Sequence, residues 1–326
     1  MKIIKLGILI ILAGFLTACN DSNQGSAEER TSITLANWSQ PIVEQTNLLV
    51  EEEKGFFEKE GIDLTLIPGN GGQDALKTML SGHADIAFTD PGAVYSALAQ
   101  GEDLVIIYTV YPQNVFNVVT NDASSISSID DLKGKRIGIY SRASGTYHNL
   151  LVLLHEAGLS EEDVDLIETG IANFAPLLQK EVDATAATDT ALVPAEREGL
   201  TNADIFEVRD YLNIPSDFFV VTRSTFEENK ETLQAFVEAY EESAAWMIEE
   251  ADEAAQLASD YAIDGREQDL NKGIIELRNA ASLDENGELG EMNMDIIQKG
   301  ADAYYELGLI SEQLEMEDYI ENIKEQ

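Results

Sequence analysis

The chain has 326 residues, enough for about two domains of the usual ~100–200 residues, and its 44% apolar content supplies real cores and excludes a disordered acidic chain. Its 61 Asp and Glu against 20 Lys and Arg, a formal charge of −41, exclude a duplex nucleic-acid binder, which gains affinity by setting clustered cations on phosphates. A single Cys leaves no disulfide framework and no Cys-based zinc site.

Lys2 and Lys5 flank the start of an apolar stretch, residues 6–16, which is too short for a spanning helix of ~20 residues. Residues 1–18 therefore read as a signal peptide. The run Leu16-Thr17-Ala18-Cys19 resembles a lipoprotein lipobox, which implies that Cys19 is lipidated and becomes the first mature residue. Residues 19–30 are polar and read as a flexible tether. The expectation is a monomer on the extracytoplasmic face of the cell membrane, held there by lipid alone, suited to capturing something outside.

From residue 32 strands and helices alternate. A strand is expected at 33–36, helical spacing over 43–54 ending near Gly55, and a strand at 62–67. The Pro68-Gly69-Asn70-Gly71-Gly72 turn leads into a helix over 73–80, followed by a strand at 84–88, a helix opened by Pro91, and a strand at 104–108. A second round starts near 111–114, with a strand at 136–140, a turn at 141–145 and a helix over 146–157 ending at Gly158. Further strands are expected at 164–168, 184–188 and 205–208, and 218–222 reads as the return to the first lobe. From Lys230 the chain is mostly helical, with Leu233, Phe236, Val237, Tyr240, Ala244 and Met247 on one face. The alternation predicts parallel α/β layers. Lobe one is expected at 31–111 plus 218–326 and lobe two at 112–217, joined by crossings near 111–114 and 211–217.

Several segments in this order carry a likeness: Glu53-Lys54-Gly55-Phe56-Phe57-Glu58-Lys59-Glu60-Gly61, Gly69-Asn70-Gly71-Gly72-Gln73-Asp74-Ala75-Leu76, Ser81-Gly82-His83-Ala84-Asp85-Ile86-Ala87, Asp131-Leu132-Lys133-Gly134-Lys135-Arg136-Ile137-Gly138 and Ser144-Gly145-Thr146-Tyr147-His148-Asn149-Leu150-Leu151. They resemble the solute-binding proteins of ABC importers in the nitrate, sulfonate and taurine branch, a superfamily that includes binding proteins for the pyrimidine precursor of thiamine. The resemblance covers nearly all of 31–325. It implies an α/β, two-lobe, type II periplasmic-binding-protein-like fold with the ligand cleft between the lobes. It also implies ABC permease subunits as partners, a small-molecule ligand, no cofactor and no catalysis.

Ligands of open α/β sheets bind beyond the carboxyl ends of strands, where helix N-termini point. Those ends are Asn37-Trp38, the loop 69–73, Thr89-Asp90, the loop 141–146 and Thr188-Asp189. The loop 69–72 is either a tight turn or a set of free N–H groups, with the Asn70 or Gln73 amide facing the cleft. Ser144, Gly145 and Thr146 at a helix start offer an anion cradle as readily as a plain N-cap, and Arg142 beside them offers a bidentate contact or a solvated charge. Trp38 lines the cleft, and Tyr111 and Tyr211 stand at the crossings. Asp90 and Asp189 either cap the following helices or accept hydrogen bonds from an amine. His148 and His155 share a helix face without a third ligand, so no metal site is expected.

The leading expectation is a small organic anion of sulfonate, taurine or nitrate type held by the Ser144–Thr146 cradle. The alternative is an aminopyrimidine stacked on Trp38 or a Tyr and paired with Asp90 or Asp189. From another class stands an enzyme of thiamine-pyrimidine synthesis on the same fold.

Overall fold

The structure is a computed structural model that describes residues 30–121 and 125–325. The signal segment, Cys19 and the tether up to residue 29 lie outside the described residues. Among the described residues no helix is long and apolar enough to cross a membrane.

The first sheet is built from β1 (Thr31–Ala36), β2 (Ile62–Ile67), β3 (Ile86–Thr89) and β4 (Leu104–Tyr111). The chain then crosses to a second sheet made of β5 (Phe116–Thr120), β6 (Arg136–Ile139), β7 (Asp165–Glu168), β8 (Ala184–Thr188) and β9 (Ile205–Glu207). It returns through β10 (Asp217–Thr222) to close the first sheet in the order β2-β1-β3-β10-β4, while the second runs β7-β6-β8-β5-β9.

Both sheets are mixed, which corrects the expectation of purely parallel layers. β10 runs antiparallel to β3 and β4, and β5, a strand absent from the sequence reading, runs antiparallel to β8 and β9. Each antiparallel strand directly follows a crossing. A chain arriving from the other lobe enters at the interlobe end of the sheet and must run away from the cleft. β10, inside the sheet, and β4, at its edge, are both buried almost throughout, and an isolated bridge from Ile106 to Ile320 covers the open side of β4.

The helices are α1 (Thr46–Leu49), α2 (Glu51–Lys54), α3 (Phe56–Lys59), α4 (Gly72–Leu80), α5 (Pro91–Ala99), α6 (Gly145–Glu156), α7 (Ala175–Leu178), α8 (Asp189–Arg197), α9 (Arg223–Glu249), α10 (Ala251–Tyr261), α11 (Gln268–Ser282) and α12 (Met294–Glu306). In α9 the predicted face is the buried one: Leu233, Phe236, Val237, Tyr240, Ala244 and Met247 are all fully buried. All but Met247 pack on one side of the first sheet with Phe57, Tyr108 and Phe219, while Met247 packs with Ala254, Ala258 and Ile275. On the other side α5 and α12 meet through Tyr95 and Tyr304, whose ring centroids are 5.3 Å apart. The same core continues through α5 and α6 into the second lobe. Burial of these apolar faces, at ~25 cal/mol per Å² of apolar surface, is what holds each sheet between its helices.

Candidate functional site

An enclosed cavity of about 260 Å³ lies between the two sheets. Its lining follows from the topology. Trp38 stands just beyond β1, Gly71 and Gly72 beyond β2, Asp90 beyond β3, Tyr140 beyond β6, Ile171 and Asn173 beyond β7, and Thr188 at the end of β8. The two antiparallel strands face the cavity with their starts instead, and so contribute Asp217 from β10 and Val115 and Phe116 at β5.

The lobes are in contact. The Gln73 N–H donates to the Ala143 carbonyl at 3.0 Å, and the Ser141 hydroxyl donates to the Asn70 carbonyl. Gly71 has a φ of 137°, and a Cβ there would overlap the Ala143 carbonyl oxygen of the opposite lobe. Two side-chain contacts reinforce the closure. His148 Nδ1 lies 2.7 Å from Asp90 Oδ1, and the Thr190 hydroxyl donates to Glu44 Oε2 at 2.8 Å.

The wall of the first lobe is acidic. Glu44, Asp90 and Asp217 are 6%, 2% and 5% exposed, and all three line the cavity. Glu44 accepts from the Tyr111 hydroxyl at 2.9 Å as well as from Thr190, and burial still lifts its pKa above the usual carboxylate value. Asp90 caps α5, accepting from the Ala93 N–H at 3.1 Å through Oδ1. Its other oxygen, Oδ2, is buried against Gly72 without a hydrogen-bond partner. Asp217 opens β10 opposite Tyr111 at a register shift, the kind of irregularity that re-aims a side chain. Its carboxyl has no side-chain partner among the described residues, and burial, followed by the charges of Asp90 and Glu44, pushes its pKa well above the usual range. The indole Nε1 of Trp38 is likewise buried and unpartnered, with its ring edge-on to Phe88 at 6.2 Å. Leaving such a group unsatisfied costs about 1–3 kcal/mol.

The second lobe presents a different wall. The Ser144 hydroxyl donates to the Ser141 carbonyl at 2.6 Å and lies 2.7 Å from the Thr146 hydroxyl, which accepts from the Tyr140 N–H at 3.2 Å. Ser144 also accepts from the Tyr147 N–H at 3.4 Å, so this loop spends its hydroxyls on capping α6 and on its own turn. Gly145 lines the cavity because Phe116 leaves no room there for a Cβ.

The remaining predicted residues divide between support and surface. Asn37 is buried and pairs with Gln45, and Thr89 donates to the Gly72 carbonyl at 2.8 Å, so both brace loops behind the cavity. Tyr111 acts through Glu44. The Asn70 and Gln73 amides are exposed rather than turned into the cleft, although their backbones carry the interlobe contacts.

Two expectations are corrected. Arg142 points away from the cavity, half-exposed and 2.9 Å from Glu161. Asp189 lies outside the lining and is already taken by Arg209 at 2.7 Å and Asn117 at 2.9 Å. The cation in the lining is Arg266, which stands at the mouth with its side chain 61% exposed and 3.8 Å from Glu198. No group of side chains among the described residues has the arrangement of a metal site.

With this fold and cleft in view, the family becomes decidable. The family model described as NMT1/THI5 like matches residues 43–254, which takes in β2 to β10 and most of the cavity lining. The chain belongs to the NMT1/THI5-like family. The riboflavin-binding protein RibY of Chloroflexus aurantiacus is 25% identical over 288 residues, covering 83% of this chain and 81% of that protein. The formylaminopyrimidine-binding protein of Halalkalibacterium halodurans is 26% identical, covering 78% of each. Among solved structures, the alkanesulfonate-binding protein SsuA of Xanthomonas axonopodis pv. citri bound to MOPS superposes with a TM-score of 0.73 over 91% of this chain and all of that one, at 18% identity. That likeness concerns the fold: this NMT1/THI5-like chain has the two-lobe architecture of periplasmic binding proteins. Family and closed cleft together make it a solute-binding protein.

Proposed function

We propose that the mature chain is the extracytoplasmic, lipid-anchored solute receptor of an ABC importer, and that its solute is an aminopyrimidine-type nitrogen heterocycle rather than a sulfonate. The observation that carries the choice is the wall of Glu44, Asp90 and Asp217, with free acceptor capacity at Asp90 and Asp217. An anion placed there meets buried carboxylates at close range, where water screens little. A ring bearing an amine supplies the donor that Asp90 Oδ2 lacks, and a ring acceptor suits the Trp38 indole N–H. The aromatic faces of Trp38 and Phe116 and the side chains of Ile42, Val115 and Ile274 give the ring an apolar bed. The relatives from Halalkalibacterium halodurans and Chloroflexus aurantiacus, named for a formylaminopyrimidine and for riboflavin, support a nitrogen heterocycle.

The mechanism is closure. A ligand touching both lobes favours the closed form by its differential affinity for it, and the importer then recognises that form. No covalent step is involved, and detectable turnover of the bound heterocycle by the purified protein would argue for an enzyme instead.

The test is a thermal-shift screen of the mature protein against aminopyrimidines, riboflavin, sulfonates, taurine and nitrate. A ligand at 100 times its dissociation constant adds about 2.7 kcal/mol. A shift confined to nitrogen heterocycles is the expected result, and a shift confined to sulfonates overturns the ligand assignment.

A further inference from the structure

Of the four carboxylates that line the cavity, three are committed, Asp264 by the Val43 N–H at 2.8 Å. Glu44 accepts at both oxygens, from Tyr111 and Thr190, and Asp90 takes Ala93 and His148 on Oδ1 and has one oxygen left. Asp217 alone among them has its whole carboxyl available. The groups around it come from several elements. Asp90 faces it from the head of α5, Glu44 from the turn before α1, Tyr111 from β4 and Tyr240 from α9. Arg278 of α11 lies behind Glu44 and Tyr111, with its guanidinium 5.8 Å from the Tyr111 ring and 2.8 Å from the Tyr240 hydroxyl. His148 of α6 is on the far side of Asp90, and Asp264 and Arg266 stand in the cavity lining. The nearest charges to Asp217 are thus negative, and the buried cation is already engaged with other groups.

We propose that Asp217 meets the ligand as a carboxylic acid, donating from one oxygen and accepting at the other, so that one proton is shared between Asp217 and the aminopyrimidine edge. The proposal rests on the nitrogen-heterocycle reading above and specifies which edge is read. An amino group next to a ring nitrogen offers a donor and an acceptor side by side, the complement of a carboxylic acid. If the proton stays on Asp217, the acid O–H donates to the ring nitrogen and the carbonyl oxygen accepts from the amine. If it moves to the ring, the same two hydrogen bonds become charge-assisted. Either form of the pair holds the same single proton. Without it, an ionised carboxylate keeps the amine N–H on one oxygen but sets the other against the ring lone pair, beside two further acids. Burial and the neighbouring charges of Asp90 and Glu44 keep the proton on Asp217 in the empty cleft, so the site is ready for the neutral ligand.

The sign follows. The folded protein holds this proton more tightly than the unfolded chain, so the folded state loses stability as pH rises above the ordinary carboxylate value toward the raised one. The bound complex, which requires the proton, loses affinity over the upper part of the same range.

The experiment is calorimetric titration of the mature protein with 4-amino-5-hydroxymethyl-2-methylpyrimidine from about pH 6 to about pH 9, for the wild type and Asp217→Asn. The wild-type association constant is expected to fall by up to about tenfold per pH unit once the shared proton is lost. The Asn amide offers a donor and an acceptor without a titrating proton. Asp217→Asn is therefore expected to keep its neutral-pH affinity within about tenfold and to bind with a flat profile. Melting of the empty proteins provides a second readout: the variant gains on the wild type as pH rises. A bound probe with a flat or rising wild-type profile, or an Asn variant that keeps the wild-type slope, overturns the shared proton and leaves the ligand class standing. No binding by the wild type at any pH removes the ligand class, and the shared proton with it.

Discussion

The two walls of the cleft both carry polar groups and use them in opposite ways. In the second lobe the polar groups near the cavity are satisfied from within: Ser144 and Thr146 by their own turn, Asp189 by Arg209 and Asn117, Arg142 by Glu161. In the first lobe Asp90 Oδ2 and the Trp38 indole N–H are buried with nothing to bond, and the Asp217 carboxyl has no side-chain partner among the described residues. A polar group that is paired by its own lobe has little left to offer a ligand, whereas one buried without a partner is stabilised by whatever brings the partner. In the proposed receptor the first lobe would read the ligand's hydrogen-bonding pattern. The second would act as a lid, contributing Phe116 and Tyr140 and meeting the first lobe through two backbone-carbonyl and two side-chain contacts.

Three substitutions break or sharpen this contrast. The largest effect is expected from Gly71→Ala. Its Cβ lands on the Ala143 carbonyl of the other lobe and its φ of 137° disfavours any L side chain, so the lid cannot seat. Ligand affinity should fall by about 100-fold or more, the equivalent of ~2.7 kcal/mol of closure, with far-UV circular dichroism unchanged. Retained affinity would mean that closure is not part of binding.

A middle effect is expected from His148→Ala, which removes the second lobe's hold on Asp90. Hydrogen bonds to charged groups contribute about 1.5–3 kcal/mol, so affinity should drop roughly 10- to 100-fold. Small-angle scattering should show a larger radius for the empty variant than for the wild type. The smallest effect is expected from Arg142→Ala, whose side chain is half-exposed and paired on the surface with Glu161. Exposed pairs contribute about 0–1 kcal/mol, so the melting temperature should barely move and affinity should stay within about twofold. A large loss of affinity would restore the anion cradle at the start of α6.

The strands and the interlobe cleft were readable because burial writes itself into apolar periodicity. The run 62–67 and the buried stripe of α9 needed no tertiary information. Asp90 is readable both as a cap and as an acceptor for an amine; the cap is present through Oδ1, and Oδ2 is left without a partner. Asp217 was missed because the search followed the carboxyl ends of strands, a rule for parallel sheets. β10 runs the other way, so its first residue faces the cleft, and only strand direction reveals this. A signal was present nonetheless: a lone carboxylate opening the apolar run Phe218-Phe219-Val220-Val221 is costly to bury without a use. Phe116 was missed for the same topological reason. Arg142 and Asp189 were misplaced because side-chain direction and prior engagement do not appear in a linear pattern.

The contacts of His148 with Asp90 and of Thr190 with Glu44 tie capture to unloading. Each joins a residue of the lid to a carboxylate that also faces the cavity. Prising the lobes apart therefore does more than uncover the solute. It also frees two carboxylates beside it, and water can then compete for every hydrogen bond that the solute had made. In the proposed receptor, opening the lid and releasing the solute would therefore be a single coupled event.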